Sequence, residues 1–273
     1  MTDRYFSLDG VRLHIVQTGH GDPLVLLHGF TGSADNWRDH ATIFGTSRQV
    51  IAIDLLGHGT SESPLTVDQY LIERQAAQVA ALIGQLGARE IDLLGYSMGG
   101  RLALYFVLEY PHLVRALILE SSSPGIRDDG ERETRRMSDE QLAGDIERDG
   151  IELFVAYWEN LPLFASQKRL PDATRQRLRD QRLANNPTGL ANSLRGMGAG
   201  VQPSLWGRLG ELSPPALLIT GALDPKYVEI NERMAATIPT ARLGVIPNAG
   251  HTTHLEQPNL FRQSVNQFLN TRA

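Results

Sequence analysis

Leu93-Leu94-Gly95-Tyr96-Ser97-Met98-Gly99-Gly100 holds a Gly-x-Ser-x-Gly pattern in an informative setting. The apolar run Ile91-Asp92-Leu93-Leu94 precedes it and reads as a buried strand; Arg101 to Tyr110 follows and reads as a helix that stops before Pro111. Between a strand and a helix the pentapeptide reads as a sharp turn that presents a serine, a nucleophile elbow. Glycines at 95 and 99 allow close backbone approach, and Ser97 is expected in a strained conformation at the helix N-terminus. Free backbone N–H groups there suit a developing oxyanion.

A serine so placed needs a base, an orienting acid and a second oxyanion donor. After this elbow the partners are expected in the order Ser, Asp or Glu, His. Pro215 to Gly221 reads as a strand, and Ala222-Leu223-Asp224 leaves it. Asp224 fits a triad acid, and equally a helix cap, because Pro225 follows and a helix is expected from about Val228. Arg242 to Ile246 reads as the next strand, and Pro247-Asn248-Ala249-Gly250-His251 leads out of it. His251 fits the base, since imidazole titrates near neutral pH. His251-x-x-His254 invites a metal reading, but the Glu of a metalloprotease helix is missing and the chain has no Cys.

Upstream, Pro23 to Leu27 reads as a strand running into His28-Gly29-Phe30-Thr31-Gly32. The backbone N–H groups of Phe30 and Met98 are the expected oxyanion donors, with His28 a structural loop residue. Gln49 to Ile53 reads as another strand, and His58 as an organiser of the Gly-rich loop after it.

The chain has 273 residues, 41% of them hydrophobic, with a net charge of −5. That is enough apolar material for a sizeable α/β core, and the charge argues against a nucleic-acid partner. The N-terminal residues do not read as a signal peptide, and no apolar run approaches the roughly 20 residues of a membrane span. A cytoplasmic enzyme without membrane insertion is expected, with oligomeric state open. Strand and helix signals alternate to about Ser123, as for a mostly parallel sheet. From Pro124 to Ser213 strand signals stop, and polar segments of helical period replace them, broken by Pro162, Pro171, Pro187 and Pro203. The expected division is a core of residues 1–123 and 214–273 with a helical cap, 124–213, inserted after the strand that follows the elbow helix.

Arg101 lies one helical turn after Ser97. A guanidinium there is costly to desolvate without an anionic partner, which a substrate could supply; the alternative is pairing with a protein carboxylate or reaching solvent. Between residues 127 and 208 there are twelve Arg and one Lys against a similar number of acids, so most of these charges read as a solvated face. Trp158 and Phe164 fit either the cap's core or a substrate surface.

Gly95 to Arg101 together with Leu27 to Ser33, Glu120 to Gly125, Tyr157 to Phe164, Arg182 to Pro187, Ser193 to Gly198, Asp224 to Tyr227 and Ala249 to His251 resembles the MenH family, the 2-succinyl-6-hydroxy-2,4-cyclohexadiene-1-carboxylate synthases. The resemblance spans nearly the whole chain. It implies an α/β-hydrolase fold, a mostly parallel twisted sheet flanked by helices. It also implies a cofactor-free, metal-free lyase of menaquinone biosynthesis that eliminates pyruvate from a small polycarboxylate. In that reading Ser97 is the base, His251 raises its basicity and Asp224 orients His251. Arg101, Arg135 and Arg182 bind carboxylates, with Arg136 adjacent to Arg135, and Tyr96 and Trp158 line the pocket. The elbow and triad alone equally allow a carboxylesterase or carbon–carbon bond hydrolase with Ser97 as covalent nucleophile.

Overall fold

Strands Leu24 to Leu27 and Leu93-Leu94 are apolar at successive positions because both faces of their sheet are covered. In the computed structural model, which describes residues 1–271, Val25, Leu27 and Leu93 face one hydrophobic cluster while Leu24, Leu26 and Leu94 face another. The strands are β1 (Thr2–Leu8), β2 (Val11–Thr18), β3 (Pro23–Leu27), β4 (Gln49–Ile53), β5 (Ile91–Tyr96), β6 (Val114–Glu120), β7 (Ala216–Gly221) and β8 (Ala241–Ile246). They form one sheet in the order β1-β2-β4-β3-β5-β6-β7-β8. The β1–β2 and β2–β4 pairs are antiparallel; every other pair is parallel.

The helices are α1 (Arg38–Phe44), α2 (Ile72–Gln85), α3 (Met98–Glu109), α4 (Asp129–Asp149), α5 (Ile151–Trp158), α6 (Asp172–Leu183), α7 (Pro187–Met197), α8 (Pro225–Thr237), α9 (Thr253–Glu256) and α10 (Pro258–Asn270). Helix α2 buries Ile72, Ala76, Val79, Leu82 and Ile83, one stripe at helical spacing. It covers one sheet face with α3 and Met234 of α8. Ala41 and Phe44 of α1 and Phe261, Val265 and Phe268 of α10 cover the other. Helix α8 begins at Pro225, earlier than the expected Val228: Pro is well suited to a first helical turn, and the Asp224 side chain accepts from the Tyr227 N–H as its cap.

Helices α4 to α7 lie between β6 and β7. They have a hydrophobic cluster of their own, including Ile146, Phe154, Val155, Leu190 and Leu194. Helix α4 is polar on most sides, burying only Asp139, Ala143 and Ile146. The stretch from Leu205 to Leu212 packs into the sheet's core, not into the α4–α7 cluster. Strand order reverses between β3 and β5, and the crevice at their C-terminal ends is where α/β sheets bind ligands.

Candidate active site

The turn from β5 into α3 holds Ser97 at φ 50°, in the region that non-glycine residues rarely adopt. Its N–H donates to the Glu120 carbonyl (2.8 Å), and its carbonyl accepts from the Arg101 N–H (3.0 Å). Close packing enforces the turn. A methyl at Gly95 would lie 2.4 Å from the Gly99 carbonyl oxygen, and one at Gly99 would lie 2.5 Å from the His28 carbonyl oxygen. Either would force the strand and helix apart.

Three further strand ends bring the remaining groups to Ser97. His251, from the loop after β8, places Nε2 3.1 Å from Ser97 Oγ. Its Nδ1 lies 2.7 Å from Oδ2 of Asp224, which follows β7. A carboxylate can only accept, so Nδ1 carries the proton and Nε2 is free to accept from the serine. His251 and Asp224 are both buried, and the Tyr227 ring stands edge-on to His251 at 4.6 Å. At the end of β3, Gly29 leaves room for the Tyr96 ring, from which a methyl there would lie 2.6 Å, and such a methyl would sit within contact distance of Ser97 Cβ. Phe30 follows in a tight turn closed by Gly32 N–H to the Gly29 carbonyl (2.9 Å). Met98 is the first residue of α3, so its N–H has no acceptor within the helix.

Three other histidines, His28, His58 and His254, are held structurally. His28 Nδ1–H donates to the Gly29 carbonyl (2.8 Å), and its Nε2 accepts from the Leu55 N–H (3.0 Å). His58 packs against the rings of His28 and Phe30. Desolvation pushes its pKa down to about 3, which keeps it neutral. His254 turns away from His251 to the fully buried Glu120 carboxylate (2.8 Å). Glu120 also accepts from Thr253 Oγ1 (2.6 Å) and the His254 N–H (2.9 Å). These bonds outweigh its burial and hold its pKa below the usual carboxylate value.

The three arginines differ. Arg101 donates from one guanidinium nitrogen to the Met197 carbonyl (2.9 Å) and to Gln202 Oε1 (2.6 Å). It therefore pairs with no protein carboxylate, and its side chain is only partly exposed. Burial, reinforced by the Arg135 charge, lowers its pKa to about 10, so it remains a cation at neutral pH. Arg182 is 5% exposed, lies over the Phe164 ring at 5.3 Å and donates to Gln167 Oε1 (3.2 Å). Its Nε is buried without a partner. Arg135 instead bonds to Asp139 (2.8 Å) from a half-exposed side chain. Arg136 points outward and pairs with Glu133.

The aromatic positions close the roof. Trp158 packs against Phe30 (5.2 Å), Phe154 (5.5 Å) and Phe164 (5.7 Å), and its indole nitrogen is buried without a partner. It packs against the cap's core and behind Phe30 and Phe164, which both line one cavity. The Tyr96 hydroxyl lies 3.3 Å from Thr252 Oγ1, and burial pushes its pKa up. A cavity of about 30 Å³ is lined by Phe30, Tyr96, Phe164, Gln167, Arg182 and Thr252, among others. A groove of about 760 Å³ lies outside it, past Asn36, Leu178 and Leu255, and does not reach Ser97. Gln167, Gln202, Tyr227 and Glu120 carried no role in the sequence. Isolated glutamines leave no periodic or motif signal, and only the closure of the chain shows what they touch.

Among the described residues no group of His, Cys, Asp or Glu could hold a metal ion, and no helix is long and apolar enough to cross a membrane. A sequence family described as alpha/beta hydrolase fold matches residues 22–258. A Bacillus subtilis (strain 168) protein provisionally named 2-succinyl-6-hydroxy-2,4-cyclohexadiene-1-carboxylate synthase is 49% identical over 263 residues, with 96% of each chain covered. A Serratia proteamaculans (strain 568) protein of that name is 31% identical, covering 93% of this chain and 96% of its own. Among solved structures, MenH from S. aureus superposes with a TM-score of 0.91 at 36% identity, covering 94% of this chain and 98% of its own. A malate-bound thermophilic esterase from Thermogutta terrifontis gives 0.88 at 28% identity, with 99% of each chain covered. A strained elbow serine at the sheet's switch point, the α/β-hydrolase topology around it and relatives matched along nearly their whole length agree: the chain belongs to the MenH family of α/β-hydrolase-fold enzymes.

Proposed function

We propose that this enzyme eliminates pyruvate from 2-succinyl-5-enolpyruvyl-6-hydroxy-3-cyclohexene-1-carboxylate to give 2-succinyl-6-hydroxy-2,4-cyclohexadiene-1-carboxylate. Ser97 Oγ, its proton drawn by His251 Nε2, removes a ring proton. The C–H electron pair forms the C2–C3 double bond, the existing C3–C4 double bond shifts to C4–C5, and the C5–O bond to the enolpyruvyl group breaks. Its electrons leave with pyruvate, which takes a proton in turn from His251. Asp224 holds the imidazole in the required tautomer and stabilises the imidazolium. The Phe30 and Met98 N–H groups hold charge that develops on a substrate oxygen. Residues 1–123 and 214–273 act as the core, joined by Leu205 to Leu212, and helices α4 to α7 of the 124–213 insertion act as the cap that supplies Arg135, Trp158 and Arg182.

The observation that carries this reading is the pair of arginines held at the site, Arg182 buried and Arg101 partly buried, neither of which forms an ion pair with a carboxylate. Ester hydrolysis of a neutral substrate has no use for them, whereas a polycarboxylate supplies their missing counter-charge. The fold shared with the Thermogutta terrifontis esterase supports a second reading, acyl transfer through Ser97. Supplying the authentic intermediate beside a neutral acetyl ester, and following pyruvate and acetate, separates the two. Efficient pyruvate release is expected. Acetate release alone would establish the esterase reading.

A further inference from the structure

Arg182, buried, and Arg101, partly buried, share a feature that sets them apart from the outer arginines of the cap. Arg136, Arg148 and Arg195 pair with Glu133, Asp145 and Glu147. Arg101 and Arg182 instead dock on the side-chain oxygens of glutamines, Gln202 at 2.6 Å and Gln167 at 3.2 Å. Both glutamines are themselves buried, at 1% and 7% exposure. A guanidinium can only donate, so each glutamine must turn its oxygen to the arginine. Gln167 is fixed in that sense by a second bond, from its amide nitrogen to Thr252 Oγ1 at 2.7 Å. The acids nearby bond other arginines: Asp139 bonds Arg135 through Oδ1, its Oδ2 buried without a partner, and Glu159 bonds Arg179.

A neutral amide aims a guanidinium almost as well as a carboxylate does, yet leaves its whole charge available. A glutamate in the same place would form an internal ion pair and present a net-neutral group, with its own carboxylate repelling an incoming one. We propose that Gln202 and Gln167 are specificity-determining positioning residues: they orient Arg101 and Arg182 while withholding counter-charge, so that a substrate bearing at least two carboxylates must supply it. The inference rests on the polycarboxylate reading of the site and names the residues that enforce it.

The test compares near-isosteric substitutions of opposite meaning. Gln202→Glu and Gln167→Glu add the counter-charge; Gln202→Met and Gln167→Met remove the amide and leave the arginine uncompensated. Succinate is the probe, titrated calorimetrically into the intact chain, with far-UV circular dichroism and the unfolding midpoint verifying the fold. One charge-assisted contact corresponds to about a 10- to 150-fold change. Each Glu variant should therefore bind succinate at least about tenfold more weakly than wild type, and each Met variant should lose distinctly less. In turnover of the polycarboxylate substrate the Glu variants should raise KM more than they lower kcat.

Equal losses in the Glu and Met variants would reduce the glutamines to packing, and unaltered binding by the Glu variants would remove the charge argument. Failure of wild type to bind millimolar succinate would also overturn it. Should a Glu variant not fold, the Met variant still decides, since loss of more than about tenfold there contradicts withheld charge. If succinate binding follows the expected pattern but no pyruvate is released from the authentic intermediate, the glutamine inference stands and the proposed elimination falls.

Discussion

Replacing Arg101 by Met separates a group kept for substrate from one kept for stability. The thioether retains much of the apolar stem and removes the guanidinium. Burial lowers the Arg101 pKa from 12.5 to about 10, which amounts to roughly 3 kcal/mol held against the charged form at 1.36 kcal/mol per unit. The variant recovers that penalty, and with it the repulsion from Arg135. Against this it loses two bonds from a charged donor, to the Met197 carbonyl and Gln202 Oε1, at about 1.5 kcal/mol each. The two sides nearly cancel, so stability should change by about 1 kcal/mol or less, a shift of a few degrees in Tm for a chain of this size. Catalysis has no such compensation. Losing one charge-assisted contact to a substrate carboxylate should lower kcat/KM by about 10- to 150-fold. The assay is thermal unfolding beside pyruvate release measured over a range of substrate concentrations. A Tm drop beyond about 8 °C, with kcat/KM of the remaining folded enzyme within about threefold of wild type, would show that Arg101 is a strut and refute the reasoning.

Ser97→Ala and His251→Ala should each lower kcat by several powers of ten, and the double variant should be little worse than either, because the pair acts as one unit; losses that multiply in single-turnover kinetics would mean the two groups act separately. Glu120 is ionised below its ordinary pKa by bonds from Thr253 and His254, so its contribution is present above its unfolded pKa and lost as pH falls through the lower folded value. Glu120→Gln should therefore unfold at a lower temperature than wild type at neutral pH, with the gap narrowing as pH falls below about 4.5; a gap that stays constant in acid would dismiss the linkage. Exhaustive dialysis against a chelator should leave turnover unchanged, and recovery of a lost activity by a divalent ion would reopen the metal reading of His251 and His254.

The elbow and the loops around it are legible in the sequence because each is a local event. Apolar strands end at fixed points, and only a small set of residue types, Gly-x-Ser-x-Gly, Asp and Gly-His, suits the turns beyond those ends. The start expected for α8 falls too late because a cap and a triad acid read as alternatives at Asp224, whereas the structure uses its two oxygens for both: Oδ2 meets His251, and Oδ1 accepts from the Tyr227 N–H (3.4 Å). The β1–β2 hairpin is a feature that strand-by-strand reading misses, although Asp9-Gly10, both at positive φ, is a strong tight-turn signal. The cap is harder. Twelve arginines of similar local setting differ only in what closure places against them, so sequence cannot separate Arg182, buried on a glutamine, from Arg136, paired in solvent. Gln167 lies 15 residues from Arg182, and Gln202 lies 101 residues from Arg101, beyond the reach of any local pattern.

The central claim is that Ser97 moves a proton and forms no bond to the substrate. Intact-protein mass spectrometry on samples quenched during steady-state turnover of the authentic intermediate, with pyruvate counted in the same samples, tests it most directly. The account predicts stoichiometric pyruvate and an enzyme of unaltered mass at every time point; an adduct that localises to Ser97 and turns over at the rate of product formation would contradict it.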